Sequence, residues 1–190
     1  LVGTLDKDEI DIPTIIRMMV GRNLDNLYPP KSKGNFGQEV LKLENVSRAG
    51  KFENVNLSLN RGEIIGLFGL VGSGRTELAH SIFGVDKIDQ GKIYLNGEFI
   101  IPKTPAEAIE LGIAYLSEDR KDLGLFVGMS VKDNVVVTCL DKVVSKYSIL
   151  QEDKISKITE DYIENLGIVP KDENKIVYNL SGGNQQKVLF

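Results

Sequence analysis

The strongest constraint on this chain is an apolar segment that runs directly into a glycine-rich loop. Residues 63–76 read Glu-Ile-Ile-Gly-Leu-Phe-Gly-Leu-Val-Gly-Ser-Gly-Arg-Thr. An apolar run followed by closely spaced glycines predicts a strand, a tight loop and then the start of a helix. From Gly69 to Thr76 the spacing matches the phosphate-binding pattern G-x-x-x-x-G-K-[ST], except that Arg75 occupies the lysine position.

The residue types in this loop suit the binding of phosphate. Its glycines let successive backbone N–H groups turn toward an anion, in conformations that a Cβ would obstruct. The helix that follows adds its free N–H groups and the positive end of its dipole, and Thr76 is placed to offer its hydroxyl to Mg²⁺. We therefore predict a nucleotide-phosphate site, with a tight structural turn as the alternative. The predicted binding residues are Gly69, Gly72, Ser73, Gly74, Arg75 and Thr76, and Thr76 is the predicted metal-binding residue.

The composition is that of an ordinary globular domain. Of the 190 residues, 42% are hydrophobic, and no apolar run is long enough to cross a membrane. The net charge of −4 gives no sign of a general nucleic-acid-binding surface. The single cysteine, Cys139, excludes an internal disulfide and suits a reducing compartment. Because the chain starts at Leu1 rather than at a methionine, we expect a fragment or a processed product.

Hydrophobic periodicity predicts the other elements. Alternating polarity predicts antiparallel, turn-linked strands at residues 40–46, 52–59 and 91–97. A short apolar run predicts a buried strand at residues 113–116. Capping residues and helical spacing predict helices at residues 13–20, 75–83, 104–112 and 152–166. Residues 130–140 allow either a helix capped by Ser130 or, through their valines, a strand. Composition predicts a linker at residues 28–37 and a charged loop at residues 119–122. The apolar face of the helix at 152–166 is predicted to comprise Ile155, Ile158, Tyr162, Ile163 and Leu166.

A second motif lies near the end of the printed sequence, where residues 180–187 read Leu-Ser-Gly-Gly-Asn-Gln-Gln-Lys. One interpretation is a polar helix cap with Ser181 at the N-cap position. The other is a second anion site, because Ser181 can donate its hydroxyl and the amides of Gly182 and Gly183 are unobstructed at a helix N-terminus.

Together the two motifs resemble the ATP-binding cassette of ABC transporters, in which Ser181-Gly-Gly matches the signature motif. Four stretches also resemble the second cassette of the two-cassette ATPases of bacterial sugar importers, of the ribose, galactose and xylose type: residues 66–78, 82–84, 117–125 and 184–187. Residues 18–22 and 28–29 resemble the end of that family's first cassette and the linker after it.

The resemblance implies an α/β fold: a P-loop NTPase cassette with an antiparallel β subdomain and a helical subdomain, incomplete at the C-terminus. It implies three parts, namely the end of a preceding cassette at 1–22, a linker at 23–37 and a partial cassette at 38–190. It further implies that a first cassette precedes Leu1 and that the catalytic residues follow Phe190. The 190 residues then contain no complete set of catalytic residues, and we expect them to be inactive in isolation.

Two departures from the family's pattern concern the nucleotide site. Arg75 stands where active cassettes have a lysine, and a guanidinium is a broad fork rather than a compact charge. The loop that carries a glutamine in the family holds Glu118, which the resemblance adds to the nucleotide-binding residues together with Ser181, Gly182 and Gly183. No aromatic residue clearly occupies the place where adenine would stack, and Phe52 is a weak substitute.

The resemblance implies the ATP-binding subunit of an importer that couples the binding and hydrolysis of ATP, with Mg²⁺, to uptake of a monosaccharide. The implied partners are membrane permease subunits, a second cassette paired head to tail and, indirectly, a periplasmic or extracellular sugar-binding protein, but no nucleic acid. The implied location is peripheral, on the cytoplasmic face of the plasma membrane. Two alternatives are a soluble ABC-type ATPase without a transport role and a non-catalytic nucleotide-binding module.

Overall fold

The computed structural model describes residues 2–20, 34 and 36–190. Its first helix, α1 (Ile12–Val20), confirms the helix predicted at 13–20. Most of the predicted linker lies outside the described residues, so the proposed boundaries at residues 22 and 37 stay predictions. No helix in the described part of the chain is long and apolar enough to cross a membrane.

Four strands form one antiparallel sheet in the order β2-β1-β3-β4. They are β1 (Glu39–Arg48), β2 (Phe52–Asn60), β3 (Gln90–Leu95) and β4 (Glu98–Ile100). The central strand β1 pairs with both β2 and β3, and Leu43 lies opposite Leu57 on one side and Ile93 on the other. The predicted antiparallel strands are therefore confirmed. Asn96 and Gly97, both with positive φ, make the turn between β3 and β4.

The alternating pattern of these strands buries one row of apolar side chains. Leu43, Val46 and Ile93 are at most 1% exposed and form the centre of this core. Helix α2 (Arg75–Ile82) packs on it through Leu78. The sheet therefore supports the helix that starts at the glycine-rich loop.

A second core lies among the helices of the C-terminal half. These are α4 (Val131–Val136), α5 (Leu140–Val143), α6 (Glu152–Leu166) and α7 (Gly182–Leu189). Its buried centre includes Val131, Ile168 and Val177. Helix α6 ends at Gly167, which has the left-handed conformation of a C-terminal cap. The prediction that Tyr162 belongs to the buried apolar face of α6 is wrong, since this residue is 51% exposed.

The remaining helices follow their capping signals. Helix α3 (Pro105–Glu110) is capped by Thr104, whose side chain accepts from the Glu107 amide. Ser130 and Asp133 form a reciprocal capping box at the start of α4. The predicted helix at 130–140 is divided by a 3₁₀ turn, Val137–Cys139, into α4 and α5, and the strand alternative is wrong. Two further 3₁₀ turns lie at Lys7–Glu9 and Val177–Asn179.

Two predicted strands are wrong in this structure. The apolar run at residues 63–68 and the segment at residues 113–116 form no strand, and no strand of the described chain pairs with them. Ile64 and Phe68 are almost fully exposed, and Leu116 is 47% exposed. The physical reason is that β propensity alone does not form a strand, because a strand needs a neighbour for its backbone hydrogen bonds.

The predicted charged loop at 119–122 is also corrected. Arg120–Gly124 forms a single π-helical turn. The side chain of Asp119 accepts hydrogen bonds from the amides of Lys121 and Asp122 at 3.0 and 3.1 Å. The Asp119 amide in turn donates to the buried Ser117 hydroxyl at 3.1 Å. This capping fixes the backbone on both sides of Asp119.

Candidate phosphate-binding site

The glycine-rich loop has the backbone conformation that its sequence predicts. Gly72 and Gly74 have φ values of 81° and 84°, which L side chains rarely adopt. The Ser73 amide donates to the Leu70 carbonyl at 3.1 Å and closes a turn. Gly74 is the N-cap residue of α2, and its carbonyl accepts the first helical hydrogen bond from Leu78 at 2.8 Å. The loop therefore leads directly into the N-terminus of α2.

The loop lies against the turn between β1 and β2. A Cβ built on Gly74 would lie 2.5 Å from the Lys51 carbonyl oxygen and 3.2 Å from the Phe52 Cβ. No side chain fits there without displacing backbone. Phe52 itself is 9% exposed and belongs to the core of the sheet. It packs beneath the loop, so its suggested role as a stacking partner for adenine is wrong.

Lys51 and Glu77 form an ion pair beside the loop. The Lys51 Nζ lies 3.1 Å from a Glu77 carboxylate oxygen, and Glu77 lies in the first turn of α2. A hydrogen bond from the Glu77 backbone amide and then one from Lys51 hold the pKa of Glu77 below its ordinary value. A carboxylate near a helix N-terminus is also favoured by the helix dipole.

Arg75 lies across the loop. Its Nε donates to the Ser73 hydroxyl at 3.2 Å. A Cβ built on Gly69 would lie 2.6 Å from the same hydroxyl and 3.8 Å from the Arg75 Cδ. The three residues are therefore neighbours, and the guanidinium is held at the loop by a neutral hydroxyl. The positive charge at the lysine position is present, but on a planar group with a longer reach.

Thr76 and Glu118 meet, although they are 42 positions apart in sequence. The Thr76 Oγ1 donates to a Glu118 carboxylate oxygen at 3.0 Å. Within the described residues, Glu118 has no ion-pair partner. The predicted metal-binding hydroxyl thus adjoins an unpaired carboxylate. Hydroxyl and carboxylate oxygens are ligands that suit Mg²⁺, so these two residues fit such an ion.

The second motif forms the start of α7. Ser181 is the N-cap residue, its carbonyl accepts from the Gln185 amide at 2.9 Å, and its hydroxyl accepts from the Asn184 side chain at 3.0 Å. The side chain of Ser181 does not cap the helix amides. In the described structure no hydrogen bond joins residues 181–183 to the glycine-rich loop.

One residue at this second site was not singled out as a site residue from the sequence. Arg120 donates from Nε to the Gln185 side chain at 3.2 Å, and its guanidinium lies 3.0 Å from where a Cβ of Gly182 would be. Gln185 also donates to the Val177 carbonyl at 3.1 Å. Arg120 thereby fixes the start of α7 to the π-helical turn. Its charge alone gave no sequence signal, because charged residues at 119–122 suit a solvated loop equally well.

His80, on α2, takes part in a network of side-chain contacts. Its Nε2 lies 3.2 Å from the Tyr115 hydroxyl, and its Nδ1 lies 3.5 Å from Asp86. Arg48 also forms an ion pair with Asp86. This network connects β1, α2 and the segment before Glu118.

Comparison with known proteins matches this chain to one protein family and to relatives within it. A family model described as "ABC transporter" matches residues 52–190. The ribose import ATP-binding protein RbsA of Clostridium tetani is 44% identical over 189 residues, which is all of this chain and 37% of that protein. The galactose/methyl galactoside import ATP-binding protein MglA of the same organism is 40% identical over 191 residues, with 100% of this chain and 38% of that protein covered. The chain thus spans well under half the length of these relatives.

Solved structures share the fold. An ATP-binding cassette of an ABC transporter, MJ1267 in its ADP conformation, aligns with a TM-score of 0.63 and 26% identity, covering 80% of this chain and 63% of that chain. A nucleotide-free ATP-binding cassette from an ABC transporter aligns with a TM-score of 0.61 and 25% identity, covering 80% and 65% of the two chains. These likenesses bear out the predicted fold class, an α/β ATP-binding cassette.

Proposed function

Since this chain belongs to the ABC transporter family, whose model matches residues 52–190, we propose that its loop at Gly69–Thr76 binds the phosphates of ATP. The observation that supports this most directly is the loop geometry. Two positive-φ glycines precede a helix N-terminus, and Thr76 and Arg75 lie on the first turn of that helix. Backbone amides, a helix dipole and a cation at one place suit a polyphosphate.

We propose further that the whole protein is the ATP-binding subunit of an importer of monosaccharides. The support is the identity of 40–44% to ribose and galactose import ATP-binding proteins along the entire chain. Its partners would be membrane permease subunits and a second cassette, and its place the cytoplasmic face of the membrane. A sugar-binding protein would deliver the sugar to the permease.

Two roles follow for the two motifs. The loop at 69–76 holds a nucleotide but hydrolyses it slowly, because Arg75 replaces the compact ammonium that lysine supplies. Ser181, Gly182 and Gly183 serve the nucleotide of an opposed cassette, and the support is that no hydrogen bond in the described structure joins them to the loop of their own chain. Thr76 and Glu118 would hold Mg²⁺, which neutralises phosphate charge when bound. Stabilisation of developing charge is commonly the largest contribution to phosphoryl transfer.

Steady-state hydrolysis of ATP by the full-length protein tests these roles. Arg75→Lys should raise the rate at this site, and one restored donor corresponds to about a hundredfold. Arg61→Lys is the matched control, since Arg61 lies in the turn after β2 and should leave the rate unchanged. Ser181→Ala should lower hydrolysis at the opposed site. Both roles are rejected when neither Arg75→Lys nor Ser181→Ala changes the rate.

A further inference from the structure

The second motif, at the start of α7, is contacted by one side chain of the π-helical turn. Arg120 donates from Nε to the Gln185 side chain at 3.2 Å, and its guanidinium lies against Gly182. We propose that Arg120 is a positioning residue for ATP hydrolysis at the opposed cassette, because it fixes the α7 amides that serve the nucleotide there. This inference rests on the proposed function of Ser181, Gly182 and Gly183.

The backbone amides at the start of α7 need such support. The first amides of a helix have no partner within the helix, and the Ser181 side chain does not cap those of α7. The Ser181 hydroxyl instead accepts from the Asn184 side chain at 3.0 Å. A Cβ built on Gly183 would have no heavy atom within 4 Å, so no described side chain packs there. The direction of the amides therefore depends on what holds the first turn of the helix.

Gln185 connects Arg120 to this first turn. It is 5% exposed, and its side-chain Nε2 donates to the Val177 carbonyl at 3.1 Å. Its backbone amide donates to the Ser181 carbonyl at 2.9 Å. Without Arg120, the buried Gln185 oxygen would lose its hydrogen-bond donor, and an unpaired buried polar atom is costly. The side chain would then rearrange, and the turn that carries the motif would shift with it.

The π-helical turn is a firm base for this contact. The side chain of Asp119 caps the turn at its start. At its other end, a Cβ built on Gly124 would lie 2.7 Å from the Leu189 Cδ1, so the turn also packs closely against the end of α7. The turn thus contacts α7 at both ends, and Arg120 makes the contact at the end that carries the motif.

The location of the Arg120 charge does not favour the stability of the chain alone. A cation near a helix N-terminus meets the positive end of the helix dipole, which disfavours it. Among the described residues, Arg120 has no ion-pair partner that would offset this cost. The same guanidinium becomes favourable when an anion such as a nucleotide phosphate reaches the start of α7. The placement therefore fits a role at an occupied nucleotide site.

Hydrolysis and nucleotide binding by the full-length protein test the inference. Arg120→Met removes the donor and the charge but keeps an apolar stem. Lys121→Met is the matched control, because it removes the same charge from the neighbouring residue, which is exposed. Gln185→Met and the double variant complete a double-mutant cycle. The readouts are kcat, KM for ATP and the number of molecules of a non-hydrolysable ATP analogue bound per protein, measured by calorimetry.

We expect Arg120→Met to lower kcat by about tenfold or more, as small displacements near reacting groups do. KM and the number of bound analogue molecules should stay at the original values, because the glycine-rich loops are unchanged. Lys121→Met should retain the original kcat. In the Gln185→Met background, Arg120→Met should change kcat by less than about twofold, since Arg120 acts through Gln185.

The results that overturn the inference differ from those that reject the proposed function. If kcat and the number of bound analogue molecules fall in proportion, Arg120 only stabilises the fold. If Arg120→Met leaves kcat unchanged, or lowers it equally with and without Gln185, Arg120 does not position the motif through Gln185. In these cases the proposed function stands as long as Ser181→Ala lowers hydrolysis. If Ser181→Ala leaves hydrolysis unchanged, the proposed function of the second motif is wrong, and the inference falls with it.

Discussion

Replacing Gly74 with alanine should destabilise the chain far more than the same change at Gly72. Both glycines have left-handed backbone conformations, with φ values of 84° and 81°. An L residue in that conformation costs about 1–2 kcal/mol, and a lower entropy of the unfolded chain offsets roughly 0.4–1 kcal/mol of this. Both substitutions should therefore share a net loss of about 1 kcal/mol.

The two positions differ in the space around the added methyl group. A Cβ at Gly72 would have no heavy atom within 4 Å, whereas one at Gly74 would lie 2.5 Å from the Lys51 carbonyl oxygen. Ordinary contact begins at 3.4 Å, so atoms must separate by 3.4 − 2.5 = 0.9 Å. The Lys51 carbonyl cannot move freely, because the amide of the same residue donates a hydrogen bond to the Arg48 carbonyl at 3.0 Å. Overpacking of this kind costs about 1–3 kcal/mol.

Thermal and urea unfolding, followed by circular dichroism, measure the difference between the variants. We expect Gly74→Ala to lose about 2 kcal/mol more than Gly72→Ala, which corresponds to a difference in Tm of roughly 4–8 °C for a chain of this size. Subtracting the stability loss of one variant from that of the other cancels the cost of the left-handed backbone conformation, which both variants share. Equal losses of stability would refute the argument that the loop is held in place by its contact with the β1–β2 turn.

Two further substitutions test contacts outside the loop. The side chain of Asn134 is buried and makes three hydrogen bonds, accepting one from the Phe126 amide and donating two to the carbonyls of Phe126 and Ser130. Asn134→Ala should lower the free energy of unfolding in urea by about 2–3 kcal/mol, because these backbone groups lose their partner. A loss under about 0.5 kcal/mol would contradict this. The lowered pKa of Glu77 contributes stability that is fully present above its ordinary pKa of 4.5 and is lost as the pH falls through the lower folded value. The unfolding free energy of Glu77→Gln should therefore decline less than that of the original chain between pH 5 and about pH 3, and parallel pH profiles would refute the assignment.

Local signals in the sequence were sufficient for the antiparallel sheet, the capped helices and the loop. The glycines at 72 and 74 and the caps at Thr104 and Ser130 act on residues within a few positions of themselves, so their effects can be predicted locally. The structure confirms each of them. The assignment of residues 69–76 and 181–183 to nucleotide binding stays a prediction.

Features that depend on distant partners could not be predicted in this way. The segments that contain Phe68 and Leu116 have the apolar composition of buried strands. The described part of the chain supplies no neighbouring strand to pair with them. The bond from Arg120 to Gln185 joins residues 65 positions apart, and the one from Thr76 to Glu118 joins residues 42 positions apart. Periodicity and spacing carry no information about such contacts. The resemblance to a known family, rather than the pattern of residues, brought Glu118 into the predicted site.

The exposed apolar segment before the glycine-rich loop has a consequence for how this chain behaves at high concentration. Ile64 and Phe68 each present nearly their whole surface to solvent, next to backbone groups that no strand of the described residues covers. Such a stretch is adhesive in two ways, through hydrophobic contact and through strand pairing between molecules. The residues that lead into the glycine-rich loop therefore make the 190-residue chain prone to self-association, and dilute solutions are the conditions in which its monomer is best handled.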